Sequence, residues 1–169
     1  IQINPAKCEA LYVRKNRPPP PLTIKGQQIN FRKTITYLGI VLDTKLDRTR
    51  HIKYLKNKSK ALTRMTSAAG ACPQIGLKMY KQVIRPTIEY GLPLLRNACK
   101  TSKTLYKTAH TVQLKKLLGI PTRTLNTNLL RELHLEHPID RLTNASNDFF
   151  QKCWTNPHNG QHPQGKDYI

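Results

Sequence analysis

Carboxylates are the scarcest chemical group in this chain of 169 residues: nine Asp and Glu stand against 29 Lys and Arg, leaving a formal charge of +20. The acids are Asp43, Asp47, Asp140, Asp148, Asp167, Glu9, Glu89, Glu132 and Glu136. Two-metal phosphoryl chemistry needs several carboxylates converging on ions about 3.5–4 Å apart. Asp43 and Asp47 are close enough in sequence to be considered, but they follow a strand and lead into a helix. Asp43 is therefore expected as a turn residue and Asp47 as a helix-entry acid. No catalytic residue is expected in the chain.

Other absences narrow the field further. There is no Gly-rich phosphate loop, no Ser/His/Asp arrangement and no His-Glu-x-x-His. Cys8, Cys72, Cys99 and Cys153 include no Cys-x-x-Cys pair and no histidine at ligand spacing. They read as small, reduced, partly buried side chains, and no metal site is expected. No apolar run approaches the roughly 18–20 residues that span a bilayer. No lysine-rich face is paired with a large aromatic face, which argues against a membrane surface as well. Ile1-Gln2-Ile3-Asn4-Pro5 lacks the charged-then-apolar order of a secretory signal. An intracellular protein, nuclear or cytoplasmic, is expected, and without an initial Met the chain is expected to begin mid-domain. Asn57-Lys58-Ser59 and Asn144-Ala145-Ser146 are chance matches to the glycosylation pattern.

What the chain has in excess is unevenly spread. Residues 1–60 hold 14 basic and three acidic side chains, residues 61–120 hold ten and one, and residues 121–169 hold five of each. A cationic excess confined to the first two thirds suits a polyanion-binding surface. Between Asp47 and Glu89 no carboxylate balances the lysines and arginines. A merely solvated helix face would normally mix signs.

The first forty-odd residues predict short strands: 8–14, then four prolines at 18–21, then 22–25 and 28–31 around a Gly26-Gln27 turn. The strongest strand is expected over 34–42, with Gly39 marking a bulge or a close backbone approach. A small antiparallel meander is the simplest assembly. From residue 50 the period turns helical. Ile52, Leu55, Leu62, Met65 and Ala69 form one stripe closed by Gly70, and Lys53, Lys56, Lys60 and Arg64 form another. Leu77, Tyr80, Ile84 and Ile88 predict a second helix broken or kinked at Pro86. A third, capped at Thr101-Ser102, carries Leu105, Ala109, Val112 and Leu117 to Gly119. Leu129, Leu130 and Leu133 suggest a fourth. A fifth begins at Pro138, with Ile139, Leu142, Phe149 and Cys153 on one side. The fold class is therefore α+β, a small meander followed by a mainly helical bundle, with a disordered polar tail over 155–169.

Three patches, in order, carry a resemblance. They are Asn4-Pro5-Ala6-Lys7-Cys8-Glu9; Tyr37-Leu38-Gly39-Ile40-Val41-Leu42-Asp43 followed by His51-Ile52; and Tyr80 through Ile84-Arg85-Pro86 followed by Tyr90-Gly91. Gln113 to Pro121 adds a weaker continuation. Together they resemble the reverse transcriptases of non-LTR (LINE-type) retrotransposons, most closely the jockey-like group. Cys8 departs from the family's usual Thr, and Arg48-Thr49-Arg50 stands where an aromatic residue is common.

The resemblance implies that residues 1–47 are the end of a palm with primer-grip strands and that 48–154 are a helical thumb or connection region. It implies that the catalytic aspartates lie upstream of Asn4-Pro5, and that Mg2+ serves the full polymerase while this chain holds no cofactor. Leu38 and Gly39 would form the primer-grip turn. Lys53, Lys56, Lys60 and Arg64 would face an RNA–DNA hybrid or other nucleic acid, and Lys7 would lie near the incoming nucleotide. The remaining palm and fingers of the parent polymerase would be partners; no membrane is expected. The alternatives from the residues alone are a domesticated, non-catalytic RNA- or DNA-binding protein and a relic without function.

Overall fold

The computed structural model describes residues 3–13, 19–68 and 72–155. The expected polar tail beyond Thr155, the helix end at Ala69-Gly70 and the residues 14–18 lie outside that description.

The chain enters through a 3-10 turn, Pro5–Lys7. Asn4 opens it by accepting the Ala6 amide on its side-chain oxygen at 3.0 Å. Pro5 sits where a helical turn has no use for an N–H. Strand β1 (Ala10–Leu11) pairs in parallel with β4 (Phe31–Arg32), and Tyr12 meets Phe31 edge-on at 6.0 Å. Between them, β2 (Thr23–Ile24) and β3 (Gln27–Gln28) form an antiparallel hairpin. Its turn is Lys25-Gly26, both with positive φ, one residue earlier than the spacing predicted. Strands β5 (Thr34–Tyr37) and β6 (Ile40–Asp43) make a second hairpin, Tyr37 opposite Ile40.

That second hairpin corrects the expectation of one long strand over 34–42. Gly39 reverses the chain instead of bulging it. Leu38 and Gly39 have φ of 47° and 76°, the left-handed pair that a two-residue hairpin turn requires. The class is α+β with antiparallel pairs as expected. Among the described residues the pairs do not merge into one meander: each sheet has two strands, and one of the three pairs is parallel.

Helix α1 (Thr49–Ala68) packs mainly on α4 (Lys100–Leu117). It buries Ile52, Leu55, Ser59 and Thr63. Ser59 Oγ donates to Lys56 O and Thr63 Oγ1 to Ser59 O, both at 2.9 Å, so the two hydroxyls need no external partner. Met65, expected on the apolar stripe, is 71% exposed.

Helix α2 (Pro73–Met79) runs into a π turn (Tyr80–Ile84) and then α3 (Arg85–Ile88). Pro86 therefore does not break the path. Proline cannot give an N–H to the carbonyl four residues back, and the widened turn just before it absorbs the misfit: Arg85 N reaches Tyr80 O, five residues back. A 3-10 turn (Leu92–Leu95) leads to α4, followed by α5 (Asn126–Glu132) and α6 (Pro138–Thr155).

Ser102, expected as a cap of α4, does something else. The helix starts at Lys100, and Ser102 Oγ donates to Asp47 O at 3.0 Å while lying 2.8 Å from Thr49 Oγ1. It ties α4 to the first turn of α1. Tyr80, Ile84, Ile88, Tyr106, Leu114 and Leu142 fill the core between these helices. Glu89 on α3's end holds Arg141 of α6 through two parallel bonds, one of them Nη2 to Oε2 at 3.1 Å. On α6, Leu142 is buried as expected, whereas Phe149 is 48% exposed and meets Phe150 edge-on.

At Gly76, α2 comes close to α4. A Cβ there would stand 2.7 Å from the Leu117 carbonyl oxygen, which as backbone cannot swing aside. Gly76→Ala is expected to destabilise the chain by about 2 kcal/mol, overpacking of up to ~3 kcal/mol being partly offset by about 1 kcal/mol of helix propensity. The melting temperature should fall by roughly 4–8 °C in a thermal scan. A rise, as for a solvent-facing helix glycine, would contradict the α2–α4 contact.

Candidate nucleic-acid interface

Residues far apart in sequence meet where the β5–β6 hairpin lies against the helices. Val41 N donates to His51 Nδ1 at 3.3 Å, and His51 Nε2 lies 3.2 Å from Tyr90 O. One neutral tautomer satisfies both: Nδ1 accepts and the protonated Nε2 donates. His51 is buried, and loss of hydration lowers its pKa, opposed in part by the Tyr90 carbonyl bond. Gly91 has φ of 72°, and a Cβ there would stand 3.4 Å from His51 Nε2. Glycine at 91 lets the Tyr90 carbonyl turn onto the imidazole.

Tyr90 also holds the hairpin from above. Its hydroxyl donates to Leu38 O at 2.6 Å, and its ring lies 3.3 Å from where a Cβ on Gly39 would be. The clamp thus fixes a turn in which Leu38, with a branched side chain, occupies left-handed backbone while 72% exposed. Such a conformation costs about 1–2 kcal/mol and persists where the surroundings impose it. Tyr90→Phe should lower stability by about 1 kcal/mol. It should also speed amide hydrogen exchange at Ile40 and Val41 relative to α4. Unchanged exchange would mean that the hairpin holds its own turn.

The cationic row follows directly from His51. Lys53, Lys60 and Arg64 are exposed and Lys56 is half-buried, all along α1. Among the described residues no carboxylate forms an ion pair with any of the four. Lys53, at the start of the row, shares a concavity of about 440 Å³ with Asp43 and Asp47. Both acids are occupied as turn chemistry predicts. Asp43 accepts the Lys45 amide at 3.1 Å and pairs with Arg50 at 3.5 Å; Asp47 accepts the Thr49 amide at 2.9 Å. Among the described residues no cluster of three or more His, Cys, Asp or Glu could hold a metal ion. Lys7 is exposed on the Pro5–Lys7 turn, a different element, and takes no part in this junction.

Several residues at and beyond the junction escaped sequence reasoning. Lys58 and Tyr54 line a groove with Leu38, Gly39 and Tyr90. Lys100, Lys103 and Lys107 line another concavity with His137, and their spacing of three and four was the available signal. Lys115 is a lysine to discount: it is buried, and its Nζ donates to Thr122 O at 2.8 Å and Thr124 O at 2.5 Å. Arg85 has a buried Nε with no hydrogen-bond partner among the described residues. Among the described residues no helix is long and apolar enough to cross a membrane.

Comparison with known proteins agrees with the three motifs. The chain is similar to the RNA-directed DNA polymerase from mobile element jockey of Drosophila melanogaster, at 23% identity over 164 residues. The jockey polymerase of Drosophila funebris matches equally, at 23% over 164 residues. The probable RNA-directed DNA polymerase from transposon X-element of Drosophila melanogaster matches at 23% over 158 residues. These alignments cover 94%, 94% and 90% of this chain but only 18%, 18% and 17% of the relatives. The similarity to reverse transcriptases of non-LTR elements thus runs along nearly the whole chain, which corresponds to less than a fifth of their length. No family model matches the chain. No solved structure matches it.

Proposed function

We propose that this chain is the duplex-holding part of an RNA-directed DNA polymerase of a non-LTR retrotransposon, without catalytic carboxylates of its own. The observation that supports this best is the clamp of His51 and Tyr90, which holds an exposed, strained Leu38-Gly39 turn in one groove with Tyr54 and Lys58 of α1, the helix that also carries the unpaired cationic row. Of the motifs that carry the resemblance, the second supplies the turn and the imidazole and the third the tyrosine. In this reading residues 1–47 are the palm edge with the primer grip, and 48–154 the thumb.

The chemistry of holding follows from the side chains. Each lysine that neutralises a phosphate releases condensed counterions, so binding is strong at low salt and falls steeply as salt rises. The row carries charge without planar or bidentate base-reading groups, apart from Arg64. It is suited to accept any sequence through the backbone and shape of an RNA–DNA hybrid. The exposed Leu38 and the glycine beside it let the turn approach a strand end closely. Lys7 would serve near a nucleotide only within a complete polymerase, alongside its remaining palm and fingers.

The purified chain should retain an RNA–DNA hybrid in a low-salt binding assay and release it as KCl is raised. It should extend no primer with either Mg2+ or Mn2+. Measurable extension by this chain alone would contradict the assignment, as would failure to bind the hybrid at low salt.

A further inference from the structure

We propose that the groove between the β5–β6 turn, α1 and the π turn holds one unpaired nucleotide of a bound strand, its base on the Tyr54 ring and its phosphate at Lys58. This rests on the reading that the chain binds nucleic acid, and it assigns a site that the cationic row does not need.

The groove measures about 660 Å³, within the ~300–1,000 Å³ usual for small-ligand sites. Its walls include Val83 and Pro86, and its polar groups include Lys58 and Gln82; among the described residues no carboxylate lines it. Tyr54 and Tyr90 are 43% and 50% exposed, high for aromatic rings beside a formed cavity. The two differ in what they can offer. Tyr90 is committed by its hydroxyl to Leu38 O. Tyr54 lies nearly parallel to the His51 ring, 23° between planes and 6.5 Å between centroids. Tyr54 also lines the groove, and its exposed part offers ring surface for stacking.

A base has a π-face whatever its identity, so an aromatic platform accepts all four without reading sequence. Lys58 lies four residues beyond Tyr54 on α1, one helical turn away. An ammonium at that spacing can meet the phosphate of a base stacked on Tyr54. The Gln82 amide has both donor and acceptor atoms for a base edge or ribose hydroxyl. A base within a duplex has both faces covered by its stacked neighbours, whereas an unpaired nucleotide leaves a face for Tyr54. An apolar peptide could also fill the groove, but it would leave Lys58 without a complementary charge.

The test compares two RNA–DNA hybrids that carry a one-nucleotide overhang, in one a normal nucleotide and in the other an abasic one. The wild-type chain should bind the normal overhang about tenfold more tightly, the order expected for one stacked base. Tyr54→Ala should abolish that preference and leave the salt dependence of the abasic hybrid as it was. Tyr54→Phe should keep both. Equal binding of the two overhangs by wild type, with a steep salt dependence intact, would overturn the nucleotide site alone. Loss of all hybrid binding at low salt would overturn this site together with the reading it rests on.

Discussion

Lowering the pH from 7.5 to 4.5 should cost the fold about 3 kcal/mol through His110 alone, since each pH unit below an unfolded pKa near 6.5 withdraws a little over 1 kcal/mol. His110 is buried on α4, with its Nδ1 2.9 Å from Tyr80 Oη and the Tyr106 ring 4.6 Å away. Burial, and behind it the positive charges of Arg141 and Arg85, lowers its pKa from 6.5 to about 3. In the unfolded chain the imidazole protonates as the pH drops through 6.5; in the folded chain it stays neutral until about 3. The unfolded state therefore binds the extra proton, and stability complete above pH 6.5 is lost progressively below it. His51, also lowered by burial, adds a loss of the same sign. The His110→Asn variant keeps an acceptor for Tyr80 but does not titrate. Its stability measured by urea unfolding should change less between pH 7.5 and 4.5, whatever its absolute value. An equal slope in both proteins would mean that His110 is not buried neutral.

What could be read from the residues, and what could not, divides by range. Asp43 and Asp47 were legible because an Asx turn and a helix-entry carboxylate act over two residues, as their bonds to Lys45 N and Thr49 N do. The helical stripes through Ile52 and Leu55, and through Tyr80, Ile84 and Ile88, were legible because burial follows the helix period. Met65 and Phe149 broke their stripes because periodicity says which side of a helix is apolar, not how far its packing partner extends. Ser59 and Thr63 took buried places because their hydroxyls bond back to the helix, an option that hydropathy does not register.

The candidate site was legible as motifs and illegible as a junction. As a turn, Leu38-Gly39 was legible through the resemblance but not from residue types, since it sits in a run of strand-formers, a leucine rarely accepts positive φ, and the turn is held by Tyr90, 52 residues away. The His51–Tyr90 contact spans 39 residues and the Tyr80–His110 contact 30. No local pattern encodes such pairs. Lys115 looked like its neighbour Lys116, and only the loop that folds back over it, offering the Thr122 and Thr124 carbonyls, makes it structural. Pro86 reads as a break on local rules, and the π turn ahead of it is a tertiary solution to the same misfit.

In the proposed function the cationic side of α1 carries the phosphate contacts. Lys53, Lys56 and Lys60 step along one side of the helix, and among the described residues no carboxylate pairs with them. If each engages one phosphate, replacing all three removes about two to three units from the slope of log K against log salt, and roughly a hundredfold in affinity at 0.15 M salt. The effect should be the same for every hybrid sequence, because backbone contacts position and do not specify. Lys152, exposed on α6 and outside the row, supplies the control: Lys152→Ala should leave the slope unchanged. The decisive measurement is a KCl titration of RNA–DNA hybrid binding, followed by fluorescence anisotropy, for wild type and for Lys53→Ala, Lys56→Ala and Lys60→Ala combined. A flatter slope and weaker binding in the triple variant, with its helical circular dichroism intact, is the predicted result. An unchanged slope and affinity would contradict the account and make the row an ordinary solvated surface.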